Sequence, residues 1–466
     1  MVARIASGDN HFSYGGNRLR PQRLWTDCMP ELSGYRGRAL DFLTRAKASI
    51  GDVLEARTEW GTVSGTLVPR YEHADSDHIV LKLKSGYNIG LAVSKLKGAS
   101  VKRKGEKPAF AIPGLPKPRA GLPKVLILGT GGTIASRVDY RTGAVRPAMS
   151  AGELHALIPE LSDVAQVEPE ILFNILSENI GPTHWSKLAH RIGKAVAEGY
   201  SGVVVTHGTD TLGYTAAALS FALQGVPIPI VLVGAQRSPD RPSSDATQNL
   251  IGGVSVAATA PFSGVYVAMH LDDSDDGIAI HRGTRVRKNH TSRRDAFLSV
   301  GVPLAAIWRP SGLDDIAPDL PKRGDADRFM PATSFDGRVS LLKFYPSMPG
   351  GLISAVGRIA TRGLVIEGTG LGHVSSQDIA AVKKFVRAGG LACMTSQCVN
   401  GRVDLNVYDT GRDLARAGVL PLEDMLAETA LVKVMWVLGS IKTAAEAKAK
   451  MLENVAGEMT PRRVRG

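Results

Sequence analysis

The chain has 466 residues, enough for two or three domains, with 44% hydrophobic residues and a formal net charge of +12. No apolar run reaches the length of a membrane span, and the first residues lack the apolar stretch of a secretory signal. Three cysteines, Cys28, Cys393 and Cys398, are too few for a disulfide framework in so long a chain and fit a reduced, cytoplasmic setting. The positive balance suits either a polyanion partner or an ordinary enzyme with a basic surface.

In chain order, residues 1–34 are polar and unpatterned and read as a disordered leader, with Met29 an alternative start. Residues 35–97 read as a small β-barrel of SH3-like size. Ala39, Phe42, Leu43 and Ala46 recur at helical spacing, and strand-like segments follow at Asp52–Arg57, Gly61–Pro69, Asp77–Lys84 and Asn88–Ala92. Residues 98–123 are rich in proline and in lysine and arginine, which predicts an extended, solvated spacer.

From Lys124 onward apolar strands alternate with helical stretches. Val125–Leu128, Val203–Thr206, Pro229–Gly234 and Gly264–Met269 form a first set, and Leu341–Tyr345, Gly363–Glu367 and Leu391–Thr395 a later one. Helices are expected over Thr211–Gln224 and Gln377–Ala388. A further helix over Glu423–Gly439 should turn Leu426, Ala430, Val434 and Val437 inward. This alternation predicts an α/β fold with parallel sheets covered on both faces. The polar stretch Arg309–Arg338 divides a larger lobe, 124–325, from a smaller one, 326–440, and 441–466 form a C-terminal helix and tail.

Chemistry concentrates where strands end. The first strand runs into Gly129-Thr-Gly-Gly-Thr-Ile-Ala135 and the second into His207-Gly-Thr-Asp-Thr211. Open α/β sheets bind ligands at this edge. The first turn lacks the third glycine of a dinucleotide loop, and no acidic residue follows at a strand end about twenty residues on. Its hydroxyls point instead to Thr133 as a nucleophile, which requires a base to take its proton. Asp210 either orients a base or holds a substrate ammonium, and Thr209 and Asp210 equally suit the cap of the following helix. Two bases are available: His207, which is also a typical packed turn residue, and Lys288 in Gly283-Thr-Arg-Val-Arg-Lys288. Cys393 and Cys398 find no further ligands at metal-binding spacing and read as buried packing residues.

The two turns together with Arg285-Val-Arg-Lys288 resemble the asparaginase–glutaminase family of bacterial type over roughly Lys124 to Gly439. The resemblance implies that Thr133 forms an acyl-enzyme and that Thr209, Asp210 and Lys288 form a proton relay. It also implies that Ser177, with Glu178, Gly132 and Gly208, binds substrate and that Tyr140 matches a loop tyrosine. Further segments extend it: Tyr35-Arg-Gly-Arg-Ala39, Val68-Pro-Arg-Tyr71, Asp77-His-Ile-Val80, Gly86-Tyr-Asn-Ile-Gly90, Glu367-Gly-Thr-Gly-Leu-Gly-His373 and Asn454-Val-Ala-Gly-Glu458. Through these the whole chain resembles the asparaginase-like component of archaeal-type glutamyl-tRNA(Gln) amidotransferases. That implies ammonia release from glutamine or asparagine, delivery to the E component of the same amidotransferase, and conversion of Glu-tRNA(Gln). It further implies a homodimeric core within a heterotetramer, and ATP and magnesium in the partner rather than in this chain, which has no P-loop. The competing readings are a stand-alone L-asparaginase with an added β-domain, and an RNA-binding scaffold with a dead amidohydrolase lobe.

Overall fold

The computed structural model describes residues 32, 34–70, 75–83, 88–105, 121–132, 136–138, 145–147, 158, 160–237, 244–324, 329–359 and 361–461. The expectations for nearly all of the leader, for most of the spacer, for Thr133 and for Tyr140 fall outside them. The chain divides into two compact units at Lys107/Pro108.

In the first unit a helix, Gly37–Arg45, buries Ala39 and Leu43, which lie four residues apart on one face. Five antiparallel strands follow: β1 (Val53–Thr58), β2 (Gly61–Leu67), β3 (His78–Lys82), β4 (Asn88–Ala92) and β5 (Leu96–Arg103). They pair in the order β4-β3-β2-β1-β5. Strict alternation along β1 buries Leu54, Ala56 and Thr58, and Leu67, Ile79, Leu81 and Leu91 complete the core with the helix. The Tyr35 hydroxyl donates to Val68 O at 2.8 Å and accepts from Val80 N at 3.0 Å, fastening the entry of the helix to the sheet. Burial pushes its pKa up to about 12.

β5 corrects the spacer, which was expected to begin at 98. Ala99 and Val101 lie opposite Ala56 and Leu54 in an antiparallel ladder. Small residues and exposed lysines concealed that ladder from the apolar pattern. Two of the spacer's cations also have partners in this unit: Lys102 pairs with Glu55 at 2.9 Å and Lys104 with Asp52 at 3.0 Å.

The second unit holds a large and a small sheet. Its strands are β6 (Lys124–Gly129), β7 (Ser136–Val138), β8 (Val145–Pro147), β9 (Gln166–Ile171), β10 (Gly202–Thr206), β11 (Pro229–Val233) and β12 (Gly264–His270). There follow β13 (Ile278–Arg282), β14 (Val286–Lys288), β15 (Phe297–Ser299), β16 (Ala306–Arg309), β17 (Gly312–Asp314), β18 (Val339–Lys343), β19 (Gly363–Gly368), β20 (Leu391–Ser396) and β21 (Leu420–Pro421). The large sheet runs β17-β16-β13-β12-β11-β10-β6-β9. Only β9, β6, β10, β11 and β12 are parallel; β13, β16 and β17 add antiparallel at one edge. The sheet is therefore mixed rather than wholly parallel. Short connections such as Leu271–Gly277 leave no room for the crossover that a parallel neighbour needs.

Residue parity sorts the strands onto two faces. Ile127, Val204 and Val231 pack with Leu250 and Val254 of the helix Ala246–Thr259. Leu126, Leu128, Val203 and Val205 pack with Leu188 and Ile192 of Pro182–Ala197 and with Leu219 of Leu212–Ala222. Burial on both faces is why these strands read as unbroken apolar runs.

The small sheet β18-β19-β20-β21 is parallel throughout. The helix beside it spans Ala427–Ser440, starting four residues later than expected from Glu423. Glu423 has φ of 53°, a left-handed conformation that no helix continues through. Leu426, Ala430, Val434 and Val437 are buried, as the spacing predicts. Trp436 of this helix stacks on Phe221 of Leu212–Ala222, ring centroids 5.8 Å apart. Cys393 is buried in β20, but Cys398 is exposed beyond its end, against the expectation that both pack inside. Among the described residues no helix is long and apolar enough to cross a membrane.

Candidate active site

In the large sheet Thr206 lies level with Gly129 on one side and with Val233 on the other. β6, β10 and β11 therefore end together, and three turns leave from one edge. The first two are tied directly: Thr130 N and Thr130 Oγ1 both donate to Thr206 O, at 3.1 and 2.8 Å.

Glycine lets them approach further. A Cβ on Gly132, whose φ is +86°, would stand 2.6 Å from Gly208 N and 2.8 Å from Gly208 Cα. A Cβ on Gly208 would stand 2.7 Å from Ser177 Cβ, and one on Gly234 2.7 Å from Thr209 Cγ2. These contacts are shorter than any side chain tolerates, so the glycines are there for space.

Lys288 reaches this junction from β14, which pairs with β15. Its Nζ donates to Thr209 Oγ1 and to Asp210 Oδ1, both at 2.8 Å. The Lys288 side chain is 13% exposed and that of Asp210 75% exposed, so a sheltered lysine meets a carboxylate open to solvent. Two of the ammonium's three N–H groups are thereby directed. Thr209, Asp210 and Lys288 are brought together although 78 residues of sequence separate the last two.

Ser177 opens a short 3₁₀ turn, Ser177–Asn179, and is buried against Gly208. Its carbonyl accepts a 2.6 Å hydrogen bond from Thr211 Oγ1. Glu178 on the same turn is exposed.

His207 occupies a packing position. It is fully buried: Nε2 faces Thr215 Oγ1 at 2.8 Å and Nδ1 faces Gly208 O at 2.7 Å. Trp185 Nε1, which can only donate, gives its proton to Thr215 Oγ1 at 3.0 Å. A carbonyl can only accept, so Nδ1–H donates to Gly208 O, and Nε2 of the neutral ring accepts from the threonine hydroxyl. Burial lowers the His207 pKa to about 4. A neutral ring with both nitrogens engaged holds the second turn in place.

Three supports were not assigned from sequence. Thr130 and Thr211 tie the turns by their hydroxyls, and only their presence in Thr-rich turns signals this. The third is Asp245, buried before the helix Ala246–Thr259. It accepts from Gln236 N, Arg237 N and Asn249 Nδ2, at 2.9, 2.9 and 3.1 Å. It thereby folds the turn after β11, and its cue is an Asp four residues ahead of an Asn at a helix start. Among the described residues no group of His, Cys, Asp and Glu could hold a metal ion.

A mixed sheet whose parallel strands end in turns that carry Thr-Asp, met by a lysine from a neighbouring hairpin and followed by a small parallel lobe, is the architecture of an asparaginase-type amidohydrolase. Family models agree in both lobes: "Asparaginase, N-terminal" matches residues 124–313 and "Glutaminase/Asparaginase C-terminal domain" residues 338–451. Among solved structures, the thermostable L-asparaginase of Thermococcus kodakarensis superposes with a TM-score of 0.65 at 34% identity, over 73% of this chain and 100% of that one. A probable cytoplasmic L-asparaginase of Campylobacter jejuni gives 0.60 at 28% identity, over 71% and 99%.

The first unit narrows the family, since residues 48–101 match the "GatD N-terminal domain". The D component of the glutamyl-tRNA(Gln) amidotransferase of Pyrococcus abyssi is 48% identical over 427 residues, 90% of this chain and 97% of that one. Its counterpart in Metallosphaera sedula is 48% identical over 434 residues, 92% and 97%. The chain belongs to the GatD family, the D components of glutamyl-tRNA(Gln) amidotransferases, and so to a family of subunits of an amidotransferase complex.

Proposed function

We propose that the chain is the amidohydrolase subunit of a tRNA-dependent amidotransferase, releasing ammonia from the side-chain amide of glutamine or asparagine. The observation that carries this reading is the Lys288–Thr209–Asp210 constellation, in a chain whose likeness to GatD spans both of its units. Thr133 follows Gly132 in the turn that abuts Gly208 and is assigned the nucleophile. Its Oγ attacks the amide carbon, and its proton passes through Thr209 Oγ1 to the amine form of Lys288. The relay returns that proton to the leaving nitrogen, ammonia departs, and a threonyl ester remains. Water then attacks the ester, loses its proton to the same relay, and frees the carboxylate product. Ser177, Glu178 and the backbone at Gly132 and Gly208 are assigned to substrate binding, and Tyr140 to the loop above it.

Ammonia consumption belongs to a partner, the E component of the amidotransferase, which uses ATP and magnesium to activate the glutamate of Glu-tRNA(Gln). A homodimeric core within a heterotetramer fits this division, and the setting is the cytoplasm. The test is copurification from the native cell followed by ammonia assay. The proposal expects a partner subunit in the pulled-down complex and ammonia release that rises when Glu-tRNA(Gln) is added. Rapid hydrolysis of free asparagine by the isolated chain, indifferent to partner and tRNA, would support the stand-alone L-asparaginase instead.

A further inference from the structure

The tail segment Asn454-Val-Ala-Gly-Glu458 lies far along the chain from the strand-end turns, yet it touches the two residues that lead into the strand carrying Lys288. Thr284 Oγ1, two residues ahead of β14, donates to Ala456 O at 3.0 Å, while Thr284 O accepts from Thr429 Oγ1 at 2.9 Å. Arg285 is fully buried. Its Nη1 donates to Asp424 O at 3.0 Å and to Glu458 O at 2.8 Å, its Nη2 to Asp424 Oδ2 at 3.0 Å, and its Nε to Val300 O at 2.9 Å. Gly301 leaves the room for that guanidinium, since a Cβ there would stand 2.2 Å from Nη2. Arg287 adds an ion pair to Glu428 at 3.3 Å.

The tail is itself anchored. The Glu458 carboxylate accepts from Lys433 Nζ at 2.6 Å and from Val455 N and Ala456 N at 3.1 and 2.7 Å, and both charged side chains are wholly buried. A buried pair of this kind fixes one geometry, because either partner alone is an uncompensated charge.

We propose that the segment from Asp424 to Glu458 sets the reach of Lys288, with Thr284 and Arg285 as positioning residues. This rests on the reading of Lys288 as the relay base. Lys288 ends β14, three residues beyond Arg285, so a shift at the root of the strand moves the ammonium away from Thr209. Displacements near 1 Å at a reacting group cost on the order of 100-fold in rate.

The experiment measures ammonia release from glutamine by the full chain in its complex, for Thr284→Val, Thr284→Ser and Lys288→Met. Thr284→Val keeps the side-chain shape and removes the hydroxyl. It should lower kcat by about 10- to 100-fold with KM within about twofold, and Thr284→Ser should restore most of the loss. Unchanged kcat in Thr284→Val, or a loss that Thr284→Ser does not relieve, overturns the proposal. If Thr284→Val does not fold, Thr429→Val removes the other hydroxyl contact and is held to the same outcomes. Full activity in Lys288→Met would sink the relay reading itself. An inactive Lys288→Met beside a normal Thr284→Val sinks only the positioning role.

Discussion

Lys288 Nζ lies 2.8 Å from Thr209 Oγ1, joining a hairpin strand to a turn 79 residues earlier in the chain. The contact brings together the two side chains proposed above as a proton relay. Lys288→Met keeps the stem and deletes the donor. Ammonia release should fall by roughly 100- to 10,000-fold, the usual contribution of a positioned acid–base group, while KM changes little. Steady-state kinetics on the complex measures both.

Space between the turns is a separate requirement. Gly132→Ala introduces a Cβ within 2.6 Å of Gly208 N at a φ of +86°, whereas Gly225→Ala has a φ of +70° and nothing within 4 Å. Both replacements carry backbone strain of about 1–3 kcal/mol. Only Gly132→Ala should also abolish activity, because the backbone of one turn must move off the other. Urea denaturation with activity assays of the two variants separates the effects.

How much of this could be read in the chain depended on where the partners lie in sequence. β6 and β10 were legible because both faces are covered, which leaves unbroken apolar runs ending in glycine-bearing turns. β5 was not, since Gly98, Ala99 and Ser100 carry little apolar signal and its ladder to β1 is non-local. The antiparallel edge of the large sheet was equally hidden, since pairing direction follows from connection length rather than from residue pattern. Thr209, Asp210 and Lys288 stood out as chemistry, but composition left His207 and Lys288 as rival bases. In the fold His207 is buried with both ring nitrogens engaged, by Gly208 O and Thr215 Oγ1, whereas Lys288 faces Thr209 and Asp210. Nothing local marks Arg285 as buried, because its partners Asp424 and Glu458 are 139 and 173 residues away.

His207 also predicts a pH dependence of stability. Its pKa is ordinarily 6.5 but about 4 in the fold, because burial disfavours the cation. Between these values the unfolded chain holds more protons than the folded one. The stabilisation is complete above about pH 6.5 and is lost as the pH falls toward 4. It amounts to on the order of 3 kcal/mol for this one group. His281, equally buried and lowered to about 4, acts in the same direction. Denaturant unfolding from pH 7 to 4 should show stability declining with acid, and His207→Gln should flatten the slope. An unchanged slope would mean that His207 is not held neutral.

In the proposed reaction the amide of glutamine is opened at Thr133 and only ammonia passes onward. Thr133→Ala in the complex separates the two halves, with glutamine or ammonium chloride supplied as the nitrogen source and Gln-tRNA(Gln) as the readout. Glutamine-dependent product should disappear while ammonium-dependent product stays at the unsubstituted level. Glutamine-dependent product that survives, or equal loss from both sources, would contradict it.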